Sequence, residues 1–108
     1  MADPCDLVVN GSGTAAQVVS ARVRVASWNV AVIDHRPFGG TCALRGCDPK
    51  KMLVSGEEAA DAARRMNSRG VAGDLRIDWP ALMAFKRSFT DPVPARQDSA
   101  LRCARVRR

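Results

Sequence analysis

The feature that most constrains this chain is a glycine-rich turn between a short apolar run and an amphipathic stretch. Residues 6 to 10 (DLVVN) end at Gly11-Ser12-Gly13, and from Thr14 to Ser27 apolar residues recur at helical spacing. A second β-branched run follows from Asn29 to Asp34. The pattern predicts a strand, a tight turn, a helix and a parallel strand, with a right-handed crossover and the second strand covered on both faces.

The turn itself, residues 11 to 16 (GSGTAA), is a Gly-x-Gly-x-x-Ala variant of the dinucleotide fingerprint. In this motif Gly11 permits the sharp turn, Gly13 lets the backbone approach a pyrophosphate, and Ala16 lets the helix pack closely on the strand. The helix amino terminus offers free N–H groups and its positive dipole end. Asp34 lies about 20 residues further on, where an acid receives ribose hydroxyls. The motif predicts a dinucleotide site; the alternative is a structural turn with a surface aspartate.

Length and composition limit the classes of protein to consider. The 108 residues are enough for one small domain, and contents of 46% hydrophobic and 26% charged residues argue against wholesale disorder. No apolar stretch approaches the roughly 20 residues of a membrane span, so we expect no membrane partner. The first residues lack the basic and apolar regions of a secretory signal, and the expected location is the cytoplasm.

The net charge of +6 is concentrated at the carboxyl end. Residues 96 to 108 carry five basic and one acidic side chain, a net +4. Such a basic tail could contact nucleic-acid phosphates, but it has no aromatic residue for base stacking. A solvated helix end or a ragged terminus is the favoured interpretation, and we expect no nucleic-acid partner.

The second half of the chain predicts two helices. Ser55 to Glu58 have capping-box spacing before an alanine-rich helix that ends near Gly70 and contains an Asp61-Arg65 pair. Asp78 is expected to cap a helix from Trp79 to about Phe89. That second helix has Pro80 in its first turn, candidate apolar residues Leu82, Met83, Phe85 and Phe89, and Pro92 and Pro94 after its end.

A second motif contains two cysteines, Cys42 and Cys47, five positions apart in the segment GGTCALRGCDPKK, residues 39 to 51. On a regular helix they would be separated by about 7.5 Å along the axis. A disulfide usually needs Cα atoms within about 4.4 to 6.8 Å, so a bonded pair requires a distorted helix, which Gly46 is well placed to allow.

The chemistry expected of this pair is redox cycling. Lys50 and Lys51 would favour a thiolate, the form that attacks disulfides. Two other interpretations remain open: buried free thiols, or half of a zinc site completed by Cys5 and Cys103. Zinc sites favour shorter cysteine spacings, and His35 is the only histidine, so the zinc interpretation is disfavoured.

Taken in order, these motifs resemble the amino-terminal FAD-binding segment of the pyridine nucleotide-disulfide oxidoreductases, the family of glutathione reductase, dihydrolipoamide dehydrogenase and mercuric reductase. The resemblance covers residues 5 to about 90. It implies an α/β fold in which residues 1–95 form an incomplete Rossmann-like FAD-binding domain, a parallel βαβ unit followed by helices. Residues 96–108 are then a basic tail or truncated end.

The resemblance also implies roles for individual residues. The FAD pyrophosphate would be cradled by Gly11, Ser12, Gly13, Thr14 and Ala15, with Asp34 at the adenosine ribose and Arg36 on the adenine side. Thr41 would approach the ribityl and phosphate region, and Gly40 would also bind the cofactor. Cys47 would be the charge-transfer cysteine, Cys42 the interchange thiol that attacks substrate, and Lys50 a neighbour of the flavin N5. NADPH or NADH would be the electron donor, a small-molecule or protein disulfide the substrate, and a homodimer the full-length assembly.

The chain also departs from that pattern. Asn10 replaces an apolar residue at the end of the first strand, Ser27 stands where relatives have glycine, and Leu44-Arg45 replaces the usual pair between the cysteines. A second glycine fingerprint, a later acidic segment and an interface domain with a His-Glu pair are missing, and His35 cannot replace that histidine by position. We therefore expect an amino-terminal fragment or truncated product. The alternative is a non-catalytic remnant that acts as a dithiol redox or partner-binding module.

Overall fold

The amino-terminal half forms the predicted β-α-β unit. The structure, a computed structural model, describes residues 4–103. Strand β1 spans Leu7–Asn10, helix α1 Thr14–Val25 and strand β2 Val30–Ile33. The two strands pair in parallel, with Leu7 opposite Val30 and Asn10 opposite Ile33. The prediction of parallel strands joined by a helix is confirmed, each element being one or two residues shorter than expected.

Only one face of this two-stranded sheet is covered. Val30 and Val32 are buried with Leu101, and Leu7, Val9, Val23 and Phe38 pack against them. On the opposite face Val8 is 57% and Ile33 49% exposed. The prediction that β2 is covered on both faces is therefore wrong for residues 4–103, because the helices before and after the sheet contribute to the same cluster. Asn10 lies on the open side and is exposed, so its amide is not buried.

Helix α1 ends in a Schellman-type cap that requires a left-handed residue. The Ser27 amide donates to the Arg24 carbonyl at 2.9 Å and the Trp28 amide to the Val23 carbonyl at 3.1 Å. Ser27 has φ of +66°. The residue that departs from the expected glycine thus adopts the conformation that glycine adopts most easily.

Two helices follow the sheet and are separated only by Gly46. Helix α2 spans Gly40–Arg45 and helix α3 spans Cys47–Arg65. The predicted start at Ser55 is wrong, because α3 already has its first backbone bond from the Lys50 amide to the Gly46 carbonyl at 3.1 Å. Ser55 lies inside the helix and donates to the Lys51 carbonyl.

The carboxyl end of α3 also differs from its prediction. The helix stops at Arg65 and not near Gly70, and Gly70 instead takes φ of +96° in the turn that follows. The predicted ion pair between Asp61 and Arg65 is present.

Helix α4 spans Trp79–Thr90 and packs against α3. The predicted cap is confirmed, since Asp78 Oδ1 accepts from the Ala81 amide at 3.0 Å. Leu82 lies so close to Gly56 that a Cβ there would stand 3.0 Å from the leucine methyls. Phe85 and Phe89 stack edge to face, with centroids 5.2 Å apart, and stay about half exposed, so the apolar face is only partly buried.

A further helix, α5, spans Val93–Cys103 and was not predicted. Pro92 separates it from α4, but Pro94 lies in its first turn, where proline is tolerated. Leu101 is 7% exposed and completes the core cluster. Helix α5 crosses residue 95, the predicted boundary between the FAD-binding segment and the basic tail. The division of the chain at this residue stays a prediction. Residues 104–108 of the basic tail lie outside the described residues.

The resulting shape is elongated, 71 × 23 × 19 Å, with a radius of gyration of 20.2 Å. A compact domain of this length has about 13 Å. The α/β class is confirmed, and the structure is compatible with part of a Rossmann-like unit. Within residues 4–103, no helix is long and apolar enough to cross a membrane.

Candidate functional site

The glycine turn closes at the carboxyl end of the sheet. Gly11 has φ of +103°, and its amide donates to the Ile33 carbonyl at 2.6 Å, which joins the turn to the end of β2. Gly13 then serves as the N-cap of α1 with an ordinary φ of −73°. The first turn of α1 contains no acidic residue, so its positive end is not neutralised by its own side chains.

Ser12 and Asp34 join the turn to the loop after β2. The Ser12 amide and hydroxyl both donate to Asp34 Oδ2, at 2.9 and 2.5 Å. The same hydroxyl accepts from the Gly39 amide at 3.1 Å. The structure therefore brings Ser12 and Asp34 together as predicted for one site, but both Ser12 donors already have partners within the chain. Its predicted direct contact with a pyrophosphate stays a prediction.

Asp34 is held as a carboxylate by its neighbours. Hydrogen bonding from the Ser12 hydroxyl, and next from the Arg36 amide at 3.0 Å to Oδ1, lowers the pKa of Asp34 below its ordinary value. His35 lies 3.7 Å away, but it is 81% exposed, and Arg36 turns its guanidinium toward His35. Arg36 is exposed beside the site, and no contact in the structure tests its predicted role at an adenine.

The start of α2 lies directly against the glycine turn. A Cβ added to Gly40 would stand 2.5 Å from the Gly13 Cα, and Gly40 has φ of +71°. On its other side, a Cβ at Gly39 would stand 2.7 Å from the Val93 side chain of α5. Helices α1 and α2 therefore begin side by side, with Thr14, Ala15 and Thr41 exposed in their first turns.

The cysteine pair lies at the break between α2 and α3. Gly46 interrupts the helix with φ of −120° and ψ of −115°, as its predicted role requires. Any Cβ there would stand 2.9 Å from the Thr41 carbonyl oxygen and 3.2 Å from the Cys42 Cα. Cys42 and Cys47 are both exposed free thiols, so the interpretation of buried free thiols is wrong.

The two thiols interact with each other. A side-chain hydrogen bond with Cys47 is the main cause that raises the pKa of Cys42, and the nearby Asp48 adds to it. The expectation that Lys50 and Lys51 favour a thiolate therefore fails at Cys42. Both lysines are exposed on the first turns of α3. Among residues 4–103, no group of three or more potential ligands could hold a metal ion.

Sequence reasoning missed the contribution of α5 to this region. A cleft of about 300 Å³ opens between α1, α2 and α5, and Gln17, Ala43, Arg96 and Gln97 are among the residues that line it. Pro92 and Pro94 predict the end of α4, but Pro94 in fact lies in the first turn of α5. The signal available in the sequence was the apolar set Val93, Ala100 and Leu101, in which the last two lie seven and eight positions after the first, as on one face of a helix.

Known proteins resemble this chain over most of its length. It is 34% identical over 94 residues to a dihydrolipoyl dehydrogenase from Chlamydia trachomatis, a match that covers 86% of this chain and 20% of that protein. It is 31% identical over 81 residues to dihydrolipoyl dehydrogenase 2 of Haloarcula marismortui, covering 75% and 17%. A mycothione reductase from Mycobacterium tuberculosis is 29% identical over 100 residues, covering 92% and 21%. The chain spans about a fifth of the length of these relatives, and no protein-family model matches it.

Proposed function

Since the chain belongs to the pyridine nucleotide-disulfide oxidoreductase family, we propose that it is the flavin-binding and redox-dithiol part of an FAD-dependent, NAD(P)H-linked disulfide oxidoreductase. The observation that carries the proposal is the direct contact of the glycine turn with the start of α2 at Gly13 and Gly40. This contact sets the dinucleotide turn next to the helix that bears Cys42, as electron transfer between a bound flavin and a dithiol requires.

The residues at the turn fit a dinucleotide. A Cβ on Gly13 would have its nearest neighbour 3.9 Å away, and the φ of Gly13 is ordinary, so the fold itself leaves room for a side chain there. A glycine at such a position is explained by close approach of a ligand to the backbone. The exposed first turns at Thr14, Ala15 and Thr41 would supply N–H groups to the pyrophosphate.

FAD, when bound, would supply the two-electron carrier between a nicotinamide nucleotide and the dithiol. The carboxylate of Asp34 keeps a lone pair on Oδ1 beyond its bond to the Arg36 amide, which a ribose hydroxyl could use. Lys50 lies three positions after Cys47 in the first turn of α3, and we propose that it is a neighbour of the flavin N5. All of these assignments rest on the resemblance together with the geometry of this chain.

The dithiol chemistry can be written so that it balances. The Cys42 thiolate attacks one sulfur of the substrate disulfide, forms a mixed disulfide, and releases one thiolate that takes a proton. The Cys47 thiolate then attacks the Cys42 sulfur and releases the second thiolate, which also takes a proton. Two electrons leave the dithiol, and two substrate thiols and one Cys42-Cys47 disulfide result. We propose that the break at Gly46, with φ of −120° and ψ of −115°, lets these two sulfurs meet.

Cys42 needs a base before it can attack. Hydrogen bonding with Cys47 is the main cause that raises the pKa of Cys42, which disfavours its thiolate. The only histidine, His35, contacts Asp34 and Arg36. We therefore propose that the base, the NAD(P)H site and the homodimer contacts come from the part of the relatives that this chain does not cover. A cytoplasmic location is proposed with them.

The test is the absorbance of the purified chain with FAD. We expect one flavin per chain, which bleaches with dithionite. In the FAD-loaded protein with a reduced dithiol, Cys42→Ser should keep a long-wavelength thiolate–flavin band, and Cys47→Ser should lose it. Absence of bound flavin would overturn the proposal and favour the dithiol module, and the reverse pattern of the band would exchange the roles of the two cysteines.

A further inference from the structure

Ser12 occupies the variable position between the two glycines of the turn, yet its side chain faces inward. It is 2% exposed, and its hydroxyl donates to Asp34 Oδ2 and accepts from the Gly39 amide. We call these two contacts, together with the Ser12 amide bond to Asp34, the Ser12 bridge. A hydroxyl has one proton to donate, so the Ser12 side chain has no donor left for a ligand.

The Ser12 bridge is a side-chain link among three segments that the Gly11–Ile33 hydrogen bond and the Gly13–Gly40 contact also bring together. Ser12 belongs to the turn before α1, Asp34 follows β2, and Gly39 is the N-cap of α2. Without the hydroxyl, the buried Gly39 amide would lose its acceptor, and Asp34 Oδ2 would keep only the Ser12 amide. The bridge therefore contributes, together with the Gly13–Gly40 contact, to how α1 and α2 begin relative to each other.

From this geometry we infer that Ser12 is a positioning residue, which holds the dinucleotide turn against the start of the redox-active helix α2 and does not itself contact the pyrophosphate. The inference rests on the proposed function, since FAD is the ligand whose binding it describes. Asp34 then has two roles: its carboxylate orders the turn through its hydrogen bonds from Ser12, and it would bind the ribose. Residues Ser12 and Asp34 should then act on FAD affinity as one unit.

The chain offers a matched control. Ser20 in α1 is 1% exposed, and its hydroxyl has no hydrogen-bond partner within residues 4–103. Ser20→Ala thus makes the same change at an equally buried serine without removing a hydrogen bond. Ser12→Ala removes two, one of them to a charged group, so the turn is held less firmly against α2, and we expect FAD to bind about tenfold more weakly.

The experiment measures FAD dissociation constants for the wild type, Ser12→Ala, Ser20→Ala, Asp34→Asn and the Ser12→Ala/Asp34→Asn double variant. Hydrogen exchange of the Gly39 amide in the ligand-free chain is followed in parallel. We expect Ser12→Ala to bind FAD about tenfold more weakly and its Gly39 amide to exchange faster than in the wild type. Ser20→Ala should match the wild type in FAD affinity and in exchange of the Gly39 amide. The double variant should be hardly weaker than the weaker single variant, because the two residues act together.

The outcomes separate the two proposals. A wild type that binds no FAD overturns the proposed function and this inference with it. A wild type that binds FAD while Ser12→Ala binds equally well, or single effects that multiply in the double variant, overturns the inference alone. Loss of FAD binding by Ser12→Ala with Gly39 protection intact also overturns it, since Ser12 would then contact the ligand directly.

Discussion

Gly13 and Gly40 lie backbone against backbone, but only Gly40 needs to be glycine for the fold. A Cβ on Gly40 would stand 2.5 Å from the Gly13 Cα, and its φ is +71°. A Cβ on Gly13 would stand 3.9 Å from the Gly40 Cα, an ordinary contact. The two glycines of this contact therefore have different reasons to be glycine, and substitutions can distinguish the fold from the ligand.

We expect Gly13→Val to keep the circular dichroism spectrum of the wild type and to lose FAD binding, because the side chain would stand between the backbone and the pyrophosphate. Flavin titration measures the affinity. Ala21→Val, on the exposed surface of α1, is the matched control and should bind FAD normally. Unchanged affinity in Gly13→Val would show that the turn is only structural.

The hydrogen bond between the thiols predicts a change in the reactivity of Cys42. Cys47→Ala removes the main cause that raises the pKa of Cys42, so that pKa should fall toward its ordinary value. At a pH near 8, Cys42 should then be alkylated by iodoacetamide faster than in the wild type. Peptide mass spectrometry can follow Cys42 separately from Cys5, whose alkylation rate should stay the same. A slower reaction of Cys42 in the variant would show that Cys47 is not what raises the pKa of Cys42.

Ser27→Gly should stabilise the protein. Ser27 holds φ of +66° at the end of α1, and a left-handed conformation costs a residue other than glycine roughly 1 to 2 kcal/mol. Glycine loses more entropy on folding, which offsets part of this gain. We expect the free energy of unfolding in urea to rise by about 0.5 to 1 kcal/mol. Ser99→Gly, at an exposed position inside α5, should instead destabilise the protein; similar effects of both changes would argue against the cap.

Asp34 predicts an acid dependence of stability. Its pKa is lowered in the folded chain, so its contribution is present above the unfolded value of about 3.9 and is lost as the pH falls through the lower folded value. Asp34→Asn should therefore be less stable than the wild type at pH 7, and the difference should shrink below about pH 4. Unfolding in urea across this range measures it. The groups that face the carboxylate are Ser12, Arg36 and His35. Because His35 is exposed, His35→Gln should not change the loss of stability between pH 7 and the folded-state pKa of Asp34.

Local sequence was sufficient for the features that depend on neighbouring residues. The glycine turn between two apolar runs predicted the β-α-β unit, and Asp78 with Pro80 predicted the start of α4, because caps and turns are satisfied within a few residues. For a bonded pair, the spacing of Cys42 and Cys47 predicted a distortion that Gly46 could allow; the helix does break at Gly46, with both thiols free. The capping-box pattern at Ser55 failed, because an earlier helix start at Cys47 left no free amide for it to cap.

The contacts that make the candidate site are tertiary, and no local pattern contains them. Ser12 meets Asp34 across 22 positions and Gly39 across 27, and Gly13 meets Gly40 across a similar distance in sequence. Burial of Leu101 beneath the sheet, and exposure of Val8 and Ile33 on its other face, likewise depend on which side α5 packs. The sequence by itself determined the turn, the strands and the cysteine pair, because these follow from local backbone preferences. Their arrangement into one site was decided by long-range hydrogen bonds and close backbone contacts, which form only when separate segments pack together.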